Sequence, residues 1–512
     1  MAVQFSKDSL RAQFVGKSLY EVPTPAAVLD LAKVEENCNM MIEAARRLQL
    51  SWRAHVKTHK TEELTRLQVR DASPSPVNLI VSTIVEAEKV VPLLKEYQEK
   101  GRQVNVLYSF PLYGSCVDRL GHVSAKLGPD ALVVMVDHAE QVPHLASLAA
   151  KSGGHVPLVF LKVDVGSHRA GVIPGTSDCD SAIDALLRAE AAGSCRLLGL
   201  YSHAGHSYAT RRDWEAMGIL NAEFETLRKV AVLVRDKRTG NHPPLVLSVG
   251  ATPTVTTIQH PDLAKTADTE TRRNGDDATT AATESGGKTS GADGTDGSVL
   301  LTVVPTAHLK SLIQSLKAEG FVLEVHAGVY PTLDVQQLAA HARDYAHLNS
   351  SMIGITVLAD VASVYRGRGG DGGADEALVN AGCIALGREP CQDMGEVKGQ
   401  DYGGWGIVAP WGDEALALAH AAAPSPLLPG PRFPAAHGGW QVARLSQEHG
   451  ILRWQGRRAD AVPLRVGQRV RIWPNHACIA GAAFPYYLVV DSRRGAGRED
   501  EIVDVWVRWN GW

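Results

Sequence analysis

Leu50-Ser51-Trp52-Arg53-Ala54-His55-Val56-Lys57-Thr58-His59-Lys60 is a short, largely apolar run that ends in a cluster of basic side chains. It reads as a strand over Leu50–Lys57 followed by a polar loop. Seven further runs rich in Val, Ile and Leu follow at Asn78–Ser82, Val104–Tyr108, Ala131–Asp137, Pro157–Gly166, Leu197–Ala204, Leu245–Gly250 and Phe321–Val329. Helices fit between several of them, at Thr61–Val69, Val85–Lys100 and most clearly Trp214–Asp236, where Ile219, Leu220, Phe224, Leu227, Val230 and Val234 recur at helical spacing. Strands alternating with helices in this number predict a parallel (β/α)8 TIM-type barrel, whose working groups stand at the C-terminal strand ends. Lys57 stands at the first such end.

Outside this region the pattern changes. From about Ala264 to Ser298 the chain is Gly, Ser, Thr, Asp and Arg with almost nothing large and apolar, so it cannot offset the entropy of ordering and is expected to be a disordered insertion between the seventh and eighth strands. Arg366–Ala374 reads as a smaller one. Beyond about Ser350 come strands without convincing helices: Gly354–Tyr365, Ala377–Leu386, Gln441–Ser446, Gly467–Ile472, Tyr487–Val490 and Ile502–Val507. They predict a second, mainly antiparallel β domain. Ala26–Leu31 is surplus to the barrel and is expected to join it. The expected division is thus an N-terminal segment 1–31, a barrel 32–349 and a β domain 350–512.

The 512 residues carry 52 basic and 56 acidic side chains, with no basic tract of the kind that nucleic acid or a membrane surface requires. No stretch approaches a membrane span, Met1–Ser6 lacks a secretory pattern, and seven scattered cysteines suit a reducing compartment. A cytoplasmic protein acting on a small molecule is expected.

A lysine at a barrel mouth, desolvated and surrounded by positive charge, has a lowered pKa and attacks aldehydes. The hexapeptide His55–Lys60 alone equally fits a surface lysine. What weighs against that is Pro23-Thr24-Pro25-Ala26 with Val28-Leu29-Asp30, followed by Arg53–Lys60: together they resemble the opening of fold-type III pyridoxal-phosphate enzymes. Within that group the chain is similar to eukaryotic-type D-serine dehydratases and D-threonine aldolases, and more distantly to alanine racemase. The resemblance covers nearly the whole chain apart from the insertions. It implies that Lys57 is the cofactor lysine.

Further matches fall in order at strand ends. Lys162-Val163-Asp164-Val165-Gly166-Ser167-His168-Arg169 resembles the family segment whose arginine approaches the cofactor's phenolic oxygen, a role that falls to Arg169. Tyr201-Ser202-His203-Ala204-Gly205-His206-Ser207-Tyr208 implies His203 against the cofactor ring, with Tyr201 or Tyr208 near the site. Ser248–Thr254 and Glu324–Tyr330 close the last two strands with the small residues a phosphate cradle needs. The resemblance assigns phosphate contact to Gly250, Thr252, Gly328 and Val329. His326 takes the place where alanine racemase carries an arginine facing the pyridine nitrogen, a departure that leaves its protonation open.

Pro474-Asn475-His476-Ala477-Cys478 is the most discriminating motif. Strand alternation puts His476 and Cys478 on one face, as two ligands of one zinc ion, with a pair of core residues as the alternative. The resemblance implies zinc, since the dehydratase branch has a His-x-Cys here and a soft thiolate favours that metal, whereas D-threonine aldolases carry an oxygen ligand. The expected reaction is β-elimination of water from D-serine, with zinc drawing off the β-hydroxyl, in a homodimer whose site forms between the barrel of one subunit and the β domain of another. D-threo-3-hydroxyaspartate dehydratase remains an alternative. A D-threonine aldolase-like activity is disfavoured by Cys478, and a non-catalytic pyridoxal-phosphate carrier by the presence of the second domain.

Overall fold

The computed structural model describes residues 6–264, 297–344, 346–369, 373–391, 402–409, 411, 439–456, 458–495 and 497–512. The insertion expected at 264–298 falls almost wholly on 265–296, outside the described residues, as does part of the one at 366–374. Eight parallel strands close a barrel in sequence order: β2 (Ser51–His55), β3 (Val77–Val81), β4 (Val104–Pro111), β5 (Leu132–Val136), β6 (Leu158–Lys162), β7 (Arg196–Tyr201), β8 (Val246–Val249) and β9 (Val322–Ala327). β9 returns to β2, with Arg53 opposite His326 and Ala54 opposite Ala327. Each expected barrel strand is present. The helices expected first form at Glu62–Gln68, Ile84–Glu99 and Asp213–Lys237.

Ile80, Leu107, Val133, Met135, Leu158, Phe160 and Tyr201 fill the barrel's interior. A buried ion pair shares that space: Arg53 Nε donates to Glu324 Oε1 at 2.7 Å, with the guanidinium 5.6 Å from the Phe160 ring centroid. Two desolvated charges cost less when paired than when either stands alone.

The second unit combines β1 (Ala26–Asp30) with β10 (Ile355–Tyr365), β11 (Glu376–Val379), β12 (Gly406–Val408), β13 (Gly439–Leu445), β14 (Gly450–Gln455), β15 (Arg469–Pro474), β16 (Tyr486–Val490) and β17 (Ile502–Val507), in the order β11-β14-β13-β12-β15-β10-β1-β16-β17. β11 also pairs with β10, so six of these strands close an antiparallel barrel, and β1, β16 and β17 extend it. Ala26–Leu31 does join this sheet, antiparallel to β10 and parallel to β16. Two expectations need correction. Ala377–Leu386 is not one strand, because Asn380-Ala381-Gly382 breaks it and Cys383–Leu386 turns into a helix. The unit also has a second short helix, Ala477–Ala482. Among the described residues no helix is long and apolar enough to cross a membrane.

The two units are tied together beside the barrel mouth. Arg508, just past β17, donates to the carbonyls of His59 (3.0 Å) and Gly481, and Trp509 N–H donates to Lys60 O at 2.7 Å. Tyr487 Oη donates to Thr58 O at 3.4 Å, and Gln336 N–H to Asn475 O at 3.0 Å. The loop that carries Lys57 is thereby anchored to the segment that carries His476 and Cys478.

Candidate active site

Lys57 lies two residues past the end of β2, so its half-buried side chain enters the barrel mouth. A cleft of about 310 Å³ opens there, lined by Lys57, Arg169, His203, Tyr208 and His476, with Gln336 and Glu389 on its outer side. Five residues singled out in the sequence, drawn from both units of one chain, share this cleft. His476 reaches the cleft from the same chain as Lys57.

Positive charge gathers around the cleft, and its histidines respond. Burial, then the charge of Lys57, holds His55 and His203 well below the usual imidazole range. His203 Nδ1 lies 2.8 Å from Gly250 O, a carbonyl that only accepts, so Nδ1 carries the hydrogen and Nε2 keeps its lone pair. Lys162, buried at the end of β6 with its ammonium 5.7 Å from the Tyr201 ring centroid, is pushed down to about 8, by burial first and then by Arg169. Arg169 itself is exposed at the rim.

Deeper in the barrel, Tyr201 and His326 stack at 4.2 Å with an interplanar angle of 9°. His326 Nδ1 lies 3.0 Å from Ser248 Oγ, while its Nε2 is buried without a hydrogen-bond partner. Tyr208 lies higher, and burial raises its hydroxyl above the ordinary phenol range.

The loops after β8 and β9 form a tight cradle. A Cβ on Gly250, whose φ is +147°, would sit 2.2 Å from His326 O, so only glycine fits. Thr252 Oγ1 accepts Val329 N–H at 3.1 Å, joining the two loops, and a Cβ on Gly328 would stand 3.2 Å from His55 Cβ. Beneath them lies a group that sequence reasoning missed. Glu223, in the helix Asp213–Lys237, accepts Ser202 Oγ–H at 2.8 Å, Gly250 N–H at 3.3 Å and Thr254 Oγ1–H at 3.2 Å. It clamps the segments that follow β7 and β8 to each other, and burial raises it to about 7 in spite of those donors.

His476 and Cys478 meet, though not by strand alternation. β15 ends at Pro474, His476 caps the helix Ala477–Ala482 and Cys478 lies in its first turn. Burial disfavours charge on both side chains, but their mutual hydrogen bond and attraction outweigh it. His476 rises to about 9 and the Cys478 thiol falls below its ordinary value. Thr58 Oγ1 lies 3.1 Å from Cys478 Sγ, and Asp334 Oδ2 accepts Ala477 N–H at 2.9 Å. Burial brings Asp334 up to about 6, with His476 opposing.

A phosphate-bearing aldehyde fits these residues: a lysine and an excess of cations stand at the mouth, with a small-residue cradle and an unpaired buried Nε2 beneath them. A metal fits the His476–Cys478 pair, where His476 Nδ1 is buried without a partner beside an acidified thiol. Among the described residues no group of three or more His, Cys, Asp or Glu is arranged to hold a metal. The pair would therefore leave coordination positions to other ligands.

Residues 29–266 match the model "Alanine racemase, N-terminal domain" and residues 354–490 match "Putative serine dehydratase domain". The D-serine dehydratase of Schizosaccharomyces pombe is 32% identical over 99% of this chain and 96% of its own length. The D-threo-3-hydroxyaspartate dehydratase of Delftia sp. is 26% identical over 97% of this chain and 99% of its own. Among solved structures, a D-threo-3-hydroxyaspartate dehydratase mutant in the metal-free form superposes with a TM-score of 0.64 at 23% identity, covering 97% of this chain and 100% of that one. With a full-length relative at that level of identity, the chain is a member of the D-serine dehydratase family of dehydratases built on the alanine racemase-like fold.

Proposed function

We propose that this protein eliminates water from D-serine, using pyridoxal 5'-phosphate on Lys57 and a zinc ion on His476 and Cys478. The observation that carries the reading is the meeting of Lys57 and His476 in one cleft. Removal of the α-proton and of the β-hydroxyl yields aminoacrylate and water, and aminoacrylate takes up water to give pyruvate and ammonia. The cofactor, when bound, supplies the electron sink that makes the α-proton acidic, and the zinc a Lewis acid for the leaving hydroxyl.

The chain's own residues do the rest. Gly250, Thr252, Gly328 and Val329 cradle the phosphate, and Arg169 brings a guanidinium to the phenolic oxygen. Lys57 would take the α-proton at its Nζ. His203 packs against the ring while its Nδ1–H stays on Gly250 O, so it neither gains nor gives a proton there. Tyr201 and Tyr208 wall the site at two depths. Thr58 steadies the Cys478 sulfur from the loop that carries Lys57, so the lysine and the metal pair keep their separation. Phe110 near the end of β4, Tyr113 just past it and Ile173 in the loop after β6 are exposed, which supports burial of this rim in a homodimer.

The test is pyruvate release from D-serine by protein loaded with both groups, before and after chelation, beside His476→Ala and Cys478→Ala. Release that disappears in all three cases supports the reading. Release that persists after chelation removes zinc from it, and turnover of 3-hydroxyaspartate without turnover of D-serine reassigns the substrate.

A further inference from the structure

A chain of buried polar groups runs under the barrel mouth. Arg53 Nε donates to Glu324 Oε1 at 2.7 Å, the same oxygen accepts Ser248 Oγ–H at 2.8 Å, and Ser248 Oγ stands 3.0 Å from His326 Nδ1. The hydroxyl has one proton to give. A carboxylate paired with a guanidinium offers only lone pairs, so the serine proton points at Glu324 and the serine oxygen must accept from the ring. The hydrogen of His326 is therefore on Nδ1. Burial, together with the positive charges of Arg53, Lys162 and Lys57, keeps a second proton off the imidazole. Nε2 is left with a lone pair, buried and unpartnered.

We infer that Arg53, Glu324 and Ser248 are positioning residues that lock His326 as its neutral Nδ1–H tautomer, so that Nε2 accepts a hydrogen bond from the protonated ring nitrogen of the cofactor. This rests on the pyridoxal-phosphate reading. Within the cofactor's ring the nitrogen is the one atom that can become an N–H donor, and only when protonated. An acceptor in front of it favours that protonated form, whereas a donor would oppose it. A protonated ring draws electrons more strongly, which suits a reaction that begins by losing an α-proton. Three residues that touch neither substrate nor metal thus set how strong an electron sink the cofactor becomes.

Nitrogen-15 spectra of the full-length protein with labelled histidine rings, assigned through His326→Gln, read the tautomer before and after loading. The wild type should show Nδ1 protonated and Nε2 bare, with Nε2 shifting on loading as it gains a hydrogen bond. Ser248→Ala, a small change inside a strand, should release the lock and move the hydrogen toward Nε2, and Ser248→Thr, which keeps the hydroxyl, should restore it. Ring-labelled pyridoxal phosphate should be protonated on the wild type and bind Ser248→Ala about tenfold more weakly, the loss of roughly one hydrogen bond. An analogue with CH in place of the ring nitrogen should bind both alike. A wild-type Nε2–H tautomer, an unprotonated ring nitrogen, or an unchanged tautomer in Ser248→Ala overturns the inference. If pyridoxal phosphate fails to bind the wild type at all, the functional reading falls and takes the ring-nitrogen assignment with it, while the tautomer is still read on the unloaded protein.

Discussion

Replacing Glu223 by glutamine should make the protein more stable at pH 8 and leave it nearly unchanged at pH 4.5. Burial lifts this carboxyl from its ordinary 4.5 to about 7, so the folded state holds a proton that the unfolded chain has released across that interval. Stability from the protonated group is complete below pH 4.5 and is lost as pH rises through 7. At about 1.4 kcal/mol per pH decade, the interval amounts to about 3 kcal/mol. Little solvent screening discounts it, because the side chain is almost wholly buried. Glutamine keeps an oxygen for Ser202 Oγ–H and Gly250 N–H, and its amide can donate to Thr254 Oγ1, whose own hydrogen then goes to Ala251 O at 3.2 Å. The cradle should survive. Melting curves of wild type and Glu223→Gln from pH 4.5 to pH 8 should therefore diverge, with the variant melting on the order of a few degrees higher at pH 8. Parallel curves across the range would show that Glu223 stays ionised in the fold, and would refute the argument.

Three other outcomes are expected. Lys57→Ala should abolish the absorbance of covalently held pyridoxal phosphate while leaving the fold intact; a retained band would place the cofactor lysine elsewhere. Gly250→Ala puts a methyl carbon 2.2 Å from His326 O and should cost about 1–3 kcal/mol of strain with loss of cofactor binding, so unaltered affinity in a titration would show that the phosphate lies elsewhere. Sedimentation equilibrium should give a dimer that Phe110→Asp weakens, and a monomeric wild type would remove the homodimer from the reading.

The barrel was legible because each of its strands is a short apolar run bounded by loops, buried on both faces, and because position at a strand end predicts exposure to the mouth. Lys57 stood at such an end, but its role, like those of Arg169 and His203, rested on the family resemblance and not on position alone. The β unit was harder to read. β12 is only three residues long, too short for any periodicity, and β14 mixes Ile451 and Leu452 with Arg453 and Trp454, so its alternation is blurred. His476 and Cys478 do come together, but on a different local geometry from the strand that was expected. A six-residue helix of Ala, Cys, Ile and Gly shows no amphipathic period, and a strand end and a helix start both bring residues two apart near one another. Glu223 and the Arg53–Glu324 pair left no sequence signal. A charged residue in an amphipathic helix or a strand is expected to face water, and only the tertiary fold shows that it does not.

β1 lies between β10 and β16, with Val28 opposite both Thr356 and Leu488. During synthesis, Ala26–Asp30 leaves the ribosome early and waits for partners more than three hundred residues behind it. Until they arrive, it is an apolar strand with two open edges. The whole barrel can close in the meantime, since its strands pair in chain order, but the sheet from which the His476–Cys478 segment extends cannot be completed before the last strands are made. Competence for catalysis is thus timed by the C-terminus: an unfinished chain can have its lysine in place without the segment that completes the cleft.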